Sequence, residues 1–83
     1  MLSIADVTVD LNFGAPPPPV REEMGPPPHR GYVWNDGYYQ WRGRHYVWTP
    51  GHWVRPPHRG AVWVPHRWER REHGYVMVPG HWR

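Results

Sequence analysis

The seven histidines in this chain of 83 residues are the first groups whose chemistry is worth asking about. Neutral imidazoles ligate Cu, Ni and Zn. His52, His81, His45, His66 and His73, which lie in or beside a repeated aromatic unit, are therefore candidate metal ligands. The spacing argues against a dedicated centre. No His-x-x-x-His pair occurs, cysteine is absent, and no clustered carboxylates complete a set. The competing expectation is that His52 and His81 stack on tryptophan and cap a bend.

Parts for catalysis are also missing. Ser3 is the one serine, and Thr49 has no base near it in sequence. Glu69 and Glu72 sit among Arg67, Arg70 and Arg71, the pattern of a solvated charged turn rather than an acid/base pair. No glycine-rich phosphate loop is present. The chain is expected to be no enzyme and to carry no cofactor.

Aromatic side chains are the second chemical resource: seven Trp and five Tyr against one Phe. They can fill a core that lacks Leu and Ile, stack on sugar rings, or stack on bases with Arg interleaved. All ten basic residues are Arg, and the formal charge is +3, too small to argue for nucleic acid. The residues expected on one interaction face are Tyr32, Trp34, Tyr46, Trp48, Trp53, Trp63, Trp68, Tyr75 and Trp82.

These residues recur in register. Tyr32-Val33-Trp34-Asn35-Asp36-Gly37-Tyr38-Tyr39 aligns with Tyr46-Val47-Trp48-Thr49-Pro50-Gly51-His52-Trp53. Ala61-Val62-Trp63-Val64-Pro65-His66-Arg67-Trp68 and Tyr75-Val76-Met77-Val78-Pro79-Gly80-His81-Trp82 complete the set, with starts 14, 15 and 14 residues apart. Above them, Pro27-Pro28-His29-Arg30-Gly31 returns as Pro56-Pro57-His58-Arg59-Gly60. Each unit reads as one bent strand, near 32–41, 45–54, 61–69 and 75–82. The reversals fall at Arg42-Gly43-Arg44 and between Arg70 and Gly74. Trp48 and Trp53 are five apart, so a one-residue bulge at Pro50-Gly51 is expected to return Trp53 to the aromatic face. Pairing about Gly43 and Glu72 sets Trp34 opposite His52 and Trp63 opposite His81. Val33, Val47, Val62 and Val76 then line the other face.

The expected fold is all-β: a small antiparallel meander of four bent aromatic-rich strands, forming two repeated hairpins over 31–83. A lone strand within 1–14 and a Pro-rich linker over 15–30, with its runs Pro16 to Pro19 and Pro26 to Pro28, precede it. In the first segment Val7, Val9, Leu11 and Phe13 alternate with polar residues, the period of a half-buried strand that must add to a sheet of this chain or of a partner.

On the residues Tyr46 to Trp53, and less strictly across Gly31 to Trp82, the chain resembles the bacterial YXWGXW (WXXGXW) repeat family. Asn35-Asp36, His66-Arg67 and Met77 depart from the repeat. The resemblance implies a β-rich repeat exported to the cell envelope, and it supplies no catalytic residues or defined ligand. Ser3-Ile4-Ala5 fits the small-x-small pattern that precedes signal cleavage, so the mature chain is expected to begin near Asp6. No apolar run is long enough to span a membrane. The expected function is an exported accessory module, periplasmic or extracellular. It would bind another envelope protein, or itself, through the aromatic sheet and the first strand. Cu, Ni or Zn sequestration is the alternative, and glycan binding through Trp the third.

Overall fold

A computed structural model describes residues 7–83. The proposed cleavage motif at Ser3-Ile4-Ala5 lies outside the described residues. Among those residues the architecture is all-β, with nine short strands and one 3-10 turn. The strands are β1 (Thr8–Asp10), β2 (Val33–Asn35), β3 (Tyr38–Trp41), β4 (Tyr46–Thr49) and β5 (His52–Val54). They continue with β6 (Trp63–Val64), β7 (Arg67–Arg71), β8 (Gly74–Val78) and β9 (His81–Trp82).

Two bent hairpins account for eight of them. In the first, β3 pairs with β4 (Tyr38↔Thr49 to Trp41↔Tyr46), and the same register carries past the bend into β2 and β5 (Trp34↔Trp53). In the second, β7 pairs with β8 (Arg67↔Val78 to Arg71↔Gly74) and β6 with β9 (Trp63↔Trp82). Every paired position in the second hairpin lies 29 residues after its counterpart in the first, so the duplication is structural as well as textual.

Two details of register differ from the expectation. Trp34 stands opposite Trp53, and Trp63 opposite Trp82, while His52 faces Asn35 and His81 faces Val64. The cause is turn length. Arg42 N donates to His45 O at 2.9 Å, leaving a two-residue loop, Gly43-Arg44, with Gly43 at φ +80°. A type II′ turn takes glycine at that first central position. An even-numbered loop moves the symmetry point between residues 43 and 44 and slides the register by one. The bend is not a one-residue bulge either. Asp36-Gly37 and Pro50-Gly51 leave the ladder opposite one another, so both strands turn together and nothing is inserted.

The N-terminal segment is seated inside the molecule. β1 pairs antiparallel with β8 (Val9↔Tyr75, Asp10↔Gly74), giving a three-stranded sheet β1-β8-β7. Val9 is 1% exposed and Met77 8%; with Ala61 they are the buried apolar residues among those described. The strand is shorter than its alternation implies, because Asp10 interrupts it. Its carboxylate accepts from Asn12 N at 2.8 Å, and Leu11–Phe13 coil into a 3-10 turn closed by Gly14 N donating to Leu11 O. Leu11 and Phe13 are left exposed. Phe13 nonetheless meets Trp41 of the first hairpin edge-on, ring centroids 5.0 Å apart.

The Pro-rich segment straps the first hairpin rather than standing clear of it. Glu22 accepts from Gly51 N at 3.0 Å, Met24 O from Trp53 Nε1 at 3.0 Å, and Gly14 O from the Tyr46 hydroxyl at 3.1 Å. No backbone ladder joins the two hairpins among the described residues. Side chains join them.

Candidate functional site

His66 and Trp68, two residues apart, grip the edge of β3 from either side. Trp68 Nε1 donates to Tyr39 O at 2.9 Å, and its ring meets Tyr46 edge-on at 5.5 Å. His66 stacks on Tyr38, centroids 3.9 Å apart and planes 27° from parallel. Alternation along β3 puts Tyr38 and Tyr39 on opposite faces, so the second hairpin clasps the first rather than lying flat on it.

This clasp leaves a cleft of about 440 Å³ between the hairpins, lined by Val7, Tyr38, Gln40, Trp41, Arg42, His66, Trp68, Met77 and Pro79. Its lining is aromatic and aliphatic, with an amide, a guanidinium and an imidazole among them. Tyr46 sits behind it, touching Trp41 at 5.0 Å and Tyr39 at 6.3 Å. Burial, and then the neighbouring Tyr75, push the Tyr46 phenol above its ordinary pKa, so it stays a neutral donor to Gly14 O.

His66 is also a structural acceptor. Gly80 N donates to its Nδ1 at 2.7 Å, which places the neutral ring's proton on Nε2. Burial lowers its pKa from the ordinary histidine value, consistent with a ring that must accept. The other metal candidates are scattered. His52 and His81 are exposed on the strands beyond the bends, and His45 and His73 are exposed at the two hairpin tips. Among the described residues no three His, Asp or Glu side chains come together. On β7, Glu69 is bound by Arg67 at 2.9 Å and Arg71 at 2.7 Å, and the Arg67 hydrogen bond leads in holding its carboxyl below the usual range.

The residues of the expected interaction face do not form one surface. Trp34 pairs with Trp53 and Trp63 with Trp82, both edge-on. Trp48 meets Tyr39, and Trp68 and Tyr46 form the clasp. Tyr32 packs on His29 outside the cleft, and Tyr75 lies on β8 opposite Val9 of β1. Sequence reasoning missed Tyr38, Gln40 and Trp41. The signal was present, since Trp41 lies directly opposite Tyr46, but only once the register was known.

Three of the four bends share one device. A Cβ on Gly51 would lie 2.6 Å from Cζ2 of Trp34, and one on Gly37 would lie 2.5 Å from Cζ2 of Trp48. A Cβ on Gly80 would overlap the Trp63 ring. Each tryptophan thus lays its indole edge on the glycine of the opposite strand, and the exchange is reciprocal: Trp-x-x-Gly in one strand serves Trp-x-x-Gly in the other. The fourth pair is Met77 and His66, where both partners have changed together.

The WXXGXW repeat family matches the chain in two copies, at residues 30–54 and 59–83. The chain belongs to that family. No curated protein and no solved structure matches it. In these terms, the two tryptophans of WXXGXW meet partners on the opposite strand, and the glycine is the floor on which the partner's first tryptophan rests. Each matched copy is one hairpin, two WXXGXW units long.

Proposed function

We propose that this WXXGXW chain is a non-catalytic, exported interaction module that holds a protein partner, or a second copy of itself, on the half-open aromatic surface of its clasp. The observation that carries the reading is that all seven tryptophans are half-buried and none is covered completely. Such residues present flat, amphipathic area at low entropic cost, the property that enriches Trp and Tyr at interfaces. Strand addition drops out of the proposal, because β1 already pairs with β8 and Val9 is enclosed. Export rests on the family resemblance and on the Ser3-Ile4-Ala5 pattern.

A photo-crosslinking amino acid placed at Trp41, and separately at the exposed Val62 outside the cleft, tests the reading in cells. Discrete adducts from position 41 and none from 62 support it, and an adduct of twice the chain's mass marks self-association. Equal labelling at both sites, or none at 41, ends it. Envelope fractionation of the same cells checks export.

A second reading is favoured by the cleft's make-up. Tyr38, Trp41 and Trp68 beside Gln40, Arg42 and His66 combine ring faces with polar heads, as a sugar needs. Shifts of the Trp41 and Trp68 indole resonances on titration with cell-wall oligosaccharide, absent from Trp82, would favour it.

A further inference from the structure

The duplicated Pro-Pro-His-Arg-Gly segment is used by neither the ladders nor the clasp. Each copy folds as the same turn: Tyr32 N donates to His29 O at 3.3 Å, and Ala61 N to His58 O at 3.2 Å. The third residue of each is a glycine with positive φ, Gly31 at +86° and Gly60 at +82°, as a type II turn requires. The first turn enters β2 and the second follows β5. Because β2 and β5 are paired as far as Val33↔Val54, the two turns are brought together at the open end of the first hairpin.

Between them lies a concavity of about 600 Å³ with Arg30, Arg55, Arg59 and His58 in its wall. Tyr32, Gly31, Gly60 and the two prolines 56 and 57 complete the lining, and no carboxylate contributes to it. Elsewhere the arrangement differs: Arg67 and Arg71 share Glu69. Three arginines in one wall without an acid repel one another, and an anion seated among them removes that repulsion. Guanidinium forks match phosphate oxygens two at a time, and a phosphate has enough acceptors for more than one fork. The volume holds more than one such group.

We infer that this cleft is a phosphate-binding site for a ligand carrying two or more closely spaced phosphate groups. Its source is a soluble phosphate polymer or the phosphates of a membrane lipid surface. Tyrosine 32 and the turn prolines give the floor an apolar wall against which the body of such a ligand lies.

Calorimetric titration of the full chain with tripolyphosphate tests the site. Binding should saturate at one ligand per chain and weaken as salt rises. The double variant R30Q/R59Q should weaken it by about tenfold or more, the worth of charge-assisted hydrogen bonds. R44Q/R70Q, which removes the same charge from the first hairpin tip and from β7, should change it less than about twofold if local geometry rather than net charge governs binding. Circular dichroism confirms that both variants fold. Flotation with phosphatidylglycerol and phosphatidylcholine vesicles distinguishes the source. Retention on the former alone, displaced by tripolyphosphate, places the phosphates on lipid, and no retention leaves a soluble polymer. The inference is overturned by unsaturable tripolyphosphate binding, by equal losses in the two double variants, or by vesicle binding that tripolyphosphate cannot displace.

Discussion

The two hairpins are one design executed with different fastenings. In the first, the bend is held from outside, by Glu22 of the Pro-rich strap accepting from Gly51 N. In the second, the equivalent amide, Gly80 N, is met from within by His66 Nδ1. His66 stands where the first hairpin has Gly37, and Met77 stands where it has Trp48. The Trp–Gly pair has been replaced by Met77 and His66, which line one cleft, and the histidine has gained both an internal hydrogen bond and a stacking partner on the other hairpin. The edges differ in the same way. Gly74 replaces the His45 of the first hairpin, and a Cβ there would overlap the Val9 carbonyl. That missing methyl group is why β1 docks on the second hairpin and not the first. Duplication therefore supplies the frame, and single substitutions at repeat-equivalent positions supply the asymmetry.

The largest effect should come from that edge. Gly74→Val should displace β1, uncover Val9 and Met77, and cost about 3 kcal/mol by urea unfolding, near the upper end for single substitutions. His45→Gly should cost less than about 0.5 kcal/mol, as expected of an exposed tip residue. If the two cost the same, the edges are not different in kind.

The traded pair comes next. Met77→Trp alone should destabilise by about 2 kcal/mol through overpacking against His66, and His66→Gly alone by a similar amount through its lost stacking and hydrogen bond. Together they rebuild the pair of the first hairpin, so the double variant should recover at least about 1 kcal/mol relative to additivity. Strict additivity would mean that the two departures are unrelated.

Acid should then separate the fastenings. His66 has a folded pKa below its unfolded value of 6.5, so the unfolded chain binds the proton more tightly. Its contribution is intact above pH 6.5 and is lost as pH falls through the lower folded value. Melting temperature followed from pH 7.5 to 5 should drop, and the drop should be shallower in His66→Gln. Glu22→Ala should instead lower stability by about 1 kcal/mol at neutral pH, the worth of one hydrogen bond.

The smallest expected change is a gain. Asn35 is buried with no partner for its Oδ1 among the described residues, and the second hairpin has Val64 at that position. Asn35→Val should stabilise by up to about 1 kcal/mol, since an unmet buried acceptor carries a penalty. A loss would show that Asn35 has a use the hairpin frame does not reveal.

Much of the frame was legible before the structure. Spacing of Trp and Pro-Gly located four strands and four bends, because a turn and an aromatic pair both leave local signatures. What depended on register was not legible. The one-residue slip that sets Trp34 against Trp53 hangs on whether the loop at Gly43 has an even or odd count, and the Trp–Gly exchange appears only after that slip. Seating of β1 was hidden for a similar reason: Gly74 reads as a turn residue until its place across from Asp10 is known. Glu22 was hidden within a stretch whose prolines said only that it was extended. The candidate site suffered most. His66 was picked out as one ligand among five, while its neighbours Tyr38, Gln40 and Trp41 were passed over.

The seating of β1 also orders the assembly of the chain in time. Thr8 to Asp10 find their partners in Gly74 to Val76, more than sixty residues further along. Each hairpin can close on contacts a few residues apart, whereas this ladder must bring together segments more than sixty residues apart, the slow kind of contact. Until β8 is in place, Val9 has no ladder to join. On contact order, the ladder that closes last is the one that encloses Val9.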